Sequence, residues 1–411
     1  MGGFTAVRYS KRYGLYLPEM TDPPNQMANT ANFEKLDDLL YDGLYPMGEI
    51  RITRNPAAMP PNWLLCNGGI INSGKYPLVE PLLQDRRLGF DYNWTESPDV
   101  RTPIVCAEVA GTKWWVALPD ASVGGTGVSI KYTSGSLLTG PWTTKTIENN
   151  TAYGALGIKF LNGYFVIYGG TGHLGDNLSC IWSVLGAPTG TWTRTAIGSG
   201  ADRATSIDYG NGFWCVGRDN GYGAYLQGES PQGSWVCNFV SGEDVKFADN
   251  YWVGAKTNNT VIWFKQGAPN DTWSTILVGT TSDRVSNIEH GGGFWLTDNG
   301  FYVQGNPDSL PAGTWPKNPG WTAYFANGFA FAKDRWVTGK GGSIEYIVGN
   351  PSGSVQTKIF SQINSVRSVG YQGDTWLMNG DGKLFFAVDG YRLPDIPIPD
   401  AYAYIKVAEA A

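Results

Sequence analysis

Histidine is nearly absent from this chain: His173 and His290 are the only two in 411 residues. Histidine-based catalysis or metal binding has little to draw on, and neither H-E-x-x-H nor G-x-S-x-G occurs. The cysteines, Cys66, Cys106, Cys180, Cys215 and Cys237, are odd in number and never in C-x-x-C spacing, which leaves buried free thiols as the expectation. Charge is scarce too, at 16% of residues against roughly 25% in average domains. A net charge of -6 without clustered Lys and Arg excludes general attraction to nucleic acid or anionic membrane. No apolar run approaches the ~20 residues of a membrane span, and the opening "MGGFTAVRYSKRYGLYLPEM" lacks the apolar core of a leader. The expectation is a soluble protein with no membrane insertion, metal or cofactor.

What is plentiful is Gly (55), Trp (17) and Tyr (22), a composition that favours short strands joined by tight turns. One pattern recurs seven times, a turn-like Gly or Asp followed by an aromatic and an apolar run, around Trp115, Phe165, Trp214, Trp252, Trp295, Trp336 and Trp376. A second series alternates with it, in which an apolar strand and a Gly/Pro turn precede Trp142, Trp192, Trp235, Trp273 and Trp315, with Val355 in sixth place. The seventh partner is missing after "KLFFAVDG" but present at the start, in "FDYNWTESP". Trp94 precedes Trp115 by 21 residues, as Trp192 precedes Trp214 by 22 and Trp315 precedes Trp336 by 21. The spacing puts "YNWTE" in the outer-strand register of the seventh unit.

Units of this length with four short strands read as blades of a β-propeller, a fold that protects sheet edges by closing radially. The "G-x-P-x-G-x-W" turn before the outer strand resembles that of the Asp-box, sialidase-like propellers over residues 89 to 389. Residues 45 to 83 resemble the phage tail collar domain in Gly48-Glu49-Ile50, Pro60-Pro61-x-Trp63, Leu65-Cys66-Asn67-Gly68 and Tyr76-Pro77-Leu78. The L-P-D motif and short apolar strand that follow in such proteins stand here in "YRLPDIPIPDAYAYIKVA", about 310 residues later. The fold class expected is all-β: a seven-bladed propeller (89 to 389) inserted into a small collar domain (45 to 88 and 390 to 411), with a short N-terminal helix. Adjacent chain ends, which a ring closed by its own first strand provides, make such an insertion workable.

Residues 1 to 44 resemble the N-terminal segment of phage tail-fibre proteins. They include an expected helix from about Ala31 to Tyr41, capped by Thr30 or Asn29 and stopped by Gly43. Its apolar stripe, Phe33, Leu36 and Leu40, either packs on the chain's own collar domain or, as the resemblance implies, builds a three-fold bundle in a homotrimer.

Candidate chemistry is sparse. "GTGHLG" at 170 to 175 satisfies G-x-G-x-x-G, but the following "DNLSCIWSV" reads as a strand, whereas a dinucleotide site needs a helix N-terminus. Arg203 and Arg284 each follow an Asp and stand eleven residues before the blade Trp. The sialidase-like resemblance would make them part of an arginine trio gripping a sugar carboxylate; an Asp-Arg pair clipping the loop is the competing reading, and no third arginine shares the register. In an antiparallel blade, the connections between blades share one face with the turns between second and third strands. The loops there are rich in groups suited to carbohydrate hydroxyls or a protein surface, and Arg203, Arg218, Asp219, Tyr222, Asn258, Asn259, Arg284, Asp298 and Asn299 are the candidate receptor or carbohydrate contacts. The resemblances together imply a phage tail fibre or baseplate receptor-binding protein, without catalysis, assembled in the host cytoplasm and carried on the virion tail. Its partners would be other tail or baseplate proteins and a bacterial surface polysaccharide or protein. The alternatives are a glycan-cleaving tail enzyme and a structural spacer.

Overall fold

In the computed structural model the described residues are 50–53, 63–65, 70–72, 87–91, 94–97, 103–119, 127–135, 140–149, 153–171, 179–198, 202–240, 242–256, 260–270, 272–280, 283, 285–321, 329–388, 390–392 and 402–406. The chain divides into two compact units, Asn93–Ala387 and a unit made from Met1–Tyr92 with Val388–Ala411. In the second of these, Tyr402–Lys406 lies between Ile50–Thr53 and Trp63–Leu65, pairing Ile50 with Ile405 and Trp63 with Lys406. Gly390–Arg392 likewise lies between Ile70–Asn72 and Arg87–Leu88. Residues from both ends of the sequence therefore share each sheet. The expected helix, with Phe33, Leu36 and Leu40, falls outside the described residues.

The larger unit is a seven-bladed β-propeller. Blade 1 comprises Ile104–Val109, Thr112–Ala117, Gly127–Thr133 and Thr143–Asn149, and blade 2 Tyr153–Leu161, Tyr164–Thr171, Ser179–Leu185 and Thr193–Ile197. Blade 3 is Ala204–Gly210, Phe213–Arg218, Tyr222–Gln227 and Val236–Val240; blade 4 is Asp244–Ala248, Tyr251–Ala255, Val261–Gln266 and Ser274–Leu277. Blade 5 has Ile288–Gly291, Phe294–Thr297 and Tyr302–Gln304, and blade 6 Phe329–Ala332, Arg335–Lys340, Ser343–Val348 and Gln356–Ile359. Blade 7 joins Val366–Gln372, Thr375–Gly380 and Lys383–Val388 to Thr95–Ser97, with Phe385 opposite Glu96. The closing strand thus comes from the start of the domain. First strands of consecutive blades touch all round the ring, blade 7 to blade 1 included.

Local chemistry explains the repeat. In every blade the two residues between first and second strands have positive φ, as at Asn162 (46°) and Gly163 (79°) or Asn211 (50°) and Gly212 (75°). That is the turn whose twist matches a hairpin, and Asn-Gly suits it best. The aromatic that follows is buried against the preceding blade: Trp214, fully buried, packs with Val166 and Ile181 of blade 2. In the Gly/Pro turns the indole N–H of Trp192, Trp235 and Trp273 donates to the carbonyl of Pro188, Pro231 and Pro269, at 3.0, 3.3 and 3.3 Å. Each Trp thereby fixes its own turn.

Two blades depart from the spacing. In blade 1 the position after the turn that other blades fill with the aromatic holds Lys113, opposite Glu108, and Trp115 lies two residues further along the same face. Blade 5 lacks a fourth strand among the described residues: Pro316 follows Trp315, offers no N–H for a ladder, and leaves the bridge Phe301 to Lys317 with the bonds from Tyr302 N–H to the Pro316 carbonyl and from Asn318 N–H to the Gly300 carbonyl.

First strands are sheet edges, so their outward backbone groups need partners. Side chains of the preceding blade supply them. Lys159 Nζ donates to the Ile207 carbonyl (2.7 Å), while Asp208 accepts from Phe247 N–H (2.9 Å), Ser206 from Val245 N–H (2.9 Å) and Asp244 from Ile288 N–H (3.2 Å). Gln372 does the same for Cys106 N–H across the closure. Lys246 and Glu289 complete the series as a 2.9 Å ion pair. Burial pushes the Lys159 ammonium down and the Asp244 carboxyl up, whereas Glu289 and Asp244 outweigh burial at Lys246 and hold its ammonium above the usual lysine range.

Candidate functional site

The loop face is organised by a recurring carboxylate clamp. In blades 3, 5 and 7 the residue after the second strand is an aspartate, in "RDNG", "TDNG" and "GDG". Its carboxylate reaches back to the loop that leads into the same blade's first strand. Asp219 accepts from Arg203 N–H (2.9 Å), Asp298 from Ser286 N–H (3.1 Å to each oxygen), and Asp381 from Asn364 and Ser365 N–H (2.8 and 3.0 Å). An Asp at this corner satisfies backbone donors on a surface that no ladder reaches.

The sequence candidates divide by exposure. Arg203 and Asp219 come together: Arg203 Nε lies 3.0 Å from Asp219 Oδ2, and half of the arginine side chain (52%) remains exposed. Tyr222, 46% exposed, opens the third strand of the same blade. Asn299 is half-buried in the blade 5 turn. Arg218 and Asp298 depart from the expectation that all nine are surface groups, for each is only 2% exposed. Arg218 ends a second strand whose other residues are buried, donates to the Tyr222 carbonyl (3.2 Å) and lies 3.7 Å from Asp202, so it braces the turn from beneath. Asp298 is held in by its backbone donors. Asn258, Asn259 and Arg284 lie outside the described residues.

In blade 3 the loop clip takes a different form from the Asp202-Arg203 pair expected. Asp202 faces Arg218 and Asn220 rather than its neighbour Arg203. Asp283 pairs with Lys317 at 2.9 Å and accepts from Thr280, bonds that pull its carboxyl down to about 2. Lys256, which sequence reasoning left out, donates to the Asn220 carbonyl (3.0 Å) from blade 4 and so borders the same corner. Its only signal was membership of the "AKTNNT" loop. The second strand of blade 2 leads on, beyond residues outside the description, to the strand Ser179–Leu185, the arrangement expected after "GTGHLG". Among the described residues no group of three or more His, Cys, Asp or Glu could hold a metal ion. Burial pushes the Cys106 thiol up to about 11 and the Cys215 thiol well above its usual range, so both stay protonated at neutral pH.

Asp298 gives the clamp a pH dependence. Burial, only partly offset by N–H bonds from Ser286, Asn287 and Asn299, pushes its carboxyl up to about 7. The folded state therefore binds a proton that the unfolded state has released, so stability from this group is full below about pH 4 and is lost as pH rises through about 7. In Asp298→Asn the loss of stability between those limits, read from urea midpoints, should shrink; an unchanged slope would remove Asp298 as its source.

No family model and no curated protein matches the sequence. Solved structures do. That of "YCF48 bound to D1 peptide" is 14% identical with a TM-score of 0.49, covering 74% of this chain and 97% of that one. The WD40 β-propeller domain of Doa1 is 13% identical with a TM-score of 0.47, covering 73% and 96%. Raptor from Chaetomium thermophilum is 8% identical with a TM-score of 0.50, covering 78% of this chain and 30% of that one. At such identity the likeness to Raptor speaks to the fold alone.

Proposed function

We propose that the chain is a receptor-binding protein of a phage tail fibre or baseplate, or of a related tail-like particle, and that it acts by adhesion rather than catalysis. One observation carries the reading. The two segments that bear the collar-like residues, far apart in sequence, are hydrogen-bonded strand to strand, Trp63 opposite Lys406 and Ile71 opposite Tyr391. A collar module interrupted by a propeller calls for that pairing, and a propeller presents many loops on one rigid face. Residues 1 to 44 then attach to other tail or baseplate proteins and trimerise through Phe33, Leu36 and Leu40, and the virion tail is the site of action. Three weak sites per trimer raise avidity far above one contact.

The intact protein, fluorescently labelled and of three-chain mass by light scattering, should stain some strains in a bacterial panel and lose the signal when their surface polysaccharide or protein receptor is deleted. Staining of none, with a single-chain mass, would contradict the reading. Release of sugar from the stained cells would favour the glycan-cleaving alternative.

A further inference from the structure

The corner of blade 3 carries more than a clamp requires. Blades 5 and 7 tie the same loop through backbone N–H groups of Ser286, Asn364 and Ser365, and among the described residues no arginine joins Asp298 or Asp381. Arg203 supplies its backbone N–H in the same way, so its guanidinium is surplus to holding the loop. Only Nε is engaged, by Asp219, and among the described residues nothing else binds the terminal nitrogens.

Both cations here, exposed Arg203 and half-buried Lys256, are seated rather than free to wander. The stem of Arg203 lies on Gly170 of blade 2, where a Cβ would come within 2.9 Å of its Cα and 3.0 Å of its Cγ. The stem of Lys256 lies on Gly221, at a φ of +82°, where a Cβ would meet Lys256 Cδ and Nζ at 2.7 Å. The two side chains flank the turn that presents Tyr222, a residue 46% exposed whose hydroxyl has no partner among the described residues. Arg218 and Asp202 lie beneath, paired with each other, and Asp219 is taken up by Arg203. The corner thus offers a fixed guanidinium edge, a fixed ammonium and an exposed tyrosine.

We infer that this corner binds an anionic glycan. Arg203 pairs through its terminal nitrogens with a carboxylate or phosphate oxygen, Tyr222 stacks on an adjoining sugar ring, and Lys256 meets the next negative group along the chain. A planar fork suits two oxygens of one group, and seating it beforehand lowers the entropy lost on binding. The inference rests on the reading of the loop face as adhesive and names the chemistry of its ligand.

Intact protein should be retained by polygalacturonate, a carboxylate probe, or by phosphomannan, a phosphate probe, and not by neutral dextran. Retention by either anionic probe supports the site and identifies which group it takes. Arg203→Ala should weaken binding at least about tenfold, Arg203→Lys less, and Tyr222→Ala by several-fold. Rising salt should weaken wild-type binding in step. Arg203→Ala keeps the backbone bond to Asp219, so an unchanged melting curve shows that the loss is not unfolding. Equal retention on dextran, no retention on either anionic probe, or full binding by Arg203→Ala would overturn the inference. Cells stained equally well by wild type and Arg203→Ala would overturn it while leaving the adhesin reading standing. Anionic-glycan binding by a protein that stains no cells would do the reverse.

Discussion

Breaking the closing strand Thr95–Ser97 should cost the propeller about 3 kcal/mol or more. The strand supplies the whole outer edge of blade 7, where Thr95, Glu96 and Ser97 stand opposite Phe386, Phe385 and Leu384. It also carries Trp94 to an edge-on contact with Phe360 at 5.7 Å, next to blade 6. Successive N–H groups of a strand point to opposite sides, so in a double variant, Thr95→Pro with Glu96→Pro, one of the two lost donors must have faced Lys383–Val388. Guanidinium unfolding of the double variant should show the midpoint fall. The ion pair between Glu96 and Lys383 is exposed (44% and 55%), so Glu96→Gln alone should cost under about 1 kcal/mol. An unchanged midpoint in the double proline variant would mean that the ring does not depend on this strand.

Lys246→Met should be the second most damaging change, at about 3 kcal/mol. Lys246 and Glu289 each keep under a quarter of their side chain in water, and Asp244 is close enough to be coupled to the lysine. Removing the ammonium leaves two carboxylates facing each other with little solvent to screen them. Adding Glu289→Met should recover much of the loss, because two apolar side chains replace a pair whose desolvation was itself costly. Failure of the second substitution to rescue the first would show that the ammonium acts by packing. The sign with pH is defined as well. The folded ammonium titrates above its unfolded value of 10.5, so its stabilisation is complete below that pH and is lost only as pH rises through the higher folded value. From about pH 6 to 9 the titration of the ammonium itself therefore adds no pH dependence to wild-type stability.

Much of the propeller was legible because its determinants are local. Two-residue turns with positive φ announce themselves by Gly, Asn or Asp, as at Asn162-Gly163, Asp249-Asn250 and Gly292-Gly293, and the aromatic that follows is fixed in register by the turn. The proline-to-tryptophan turn is a bond between residues four apart, so it recurs as a visible string. Trp94 could be assigned to the last blade from spacing because the same Trp signal recurs at Trp142, Trp192, Trp235, Trp273 and Trp315, with Val355 alone departing from it. Blade 1 misled for the same reason: Trp115 carries the aromatic signal, but the turn residues Ala110 and Gly111 set the register two positions earlier. In blade 5 the Trp signal was present, and Pro316 overrode it.

The polar ties between blades were not legible. Lys159, Asp208, Asp244 and Lys246 look like ordinary strand charges, and their partners stand roughly one blade, about forty residues, further along, with no local pattern to mark them. Arg218 and Asp298 misled in the opposite direction. Their Asp-Asn-Gly turns read as solvated surface, yet closely approaching loops bury the arginine and the carboxylate. Exposure at such a corner depends on the neighbouring blade, which the turn's own sequence does not encode.

The ring is tied shut by the first strand of its own domain. A cysteine pair at Glu96→Cys and Phe385→Cys tests this most directly, since the two residues stand directly opposite in an antiparallel pair, within reach of a disulfide. Mild oxidation of the folded, intact protein should link these two positions, seen as one joined fragment after proteolysis, and denaturant applied beforehand should abolish the link. Failure of the folded protein to form it, or preferential linkage of Glu96→Cys to a cysteine placed in another outer strand, for example at Lys358, would contradict the closure.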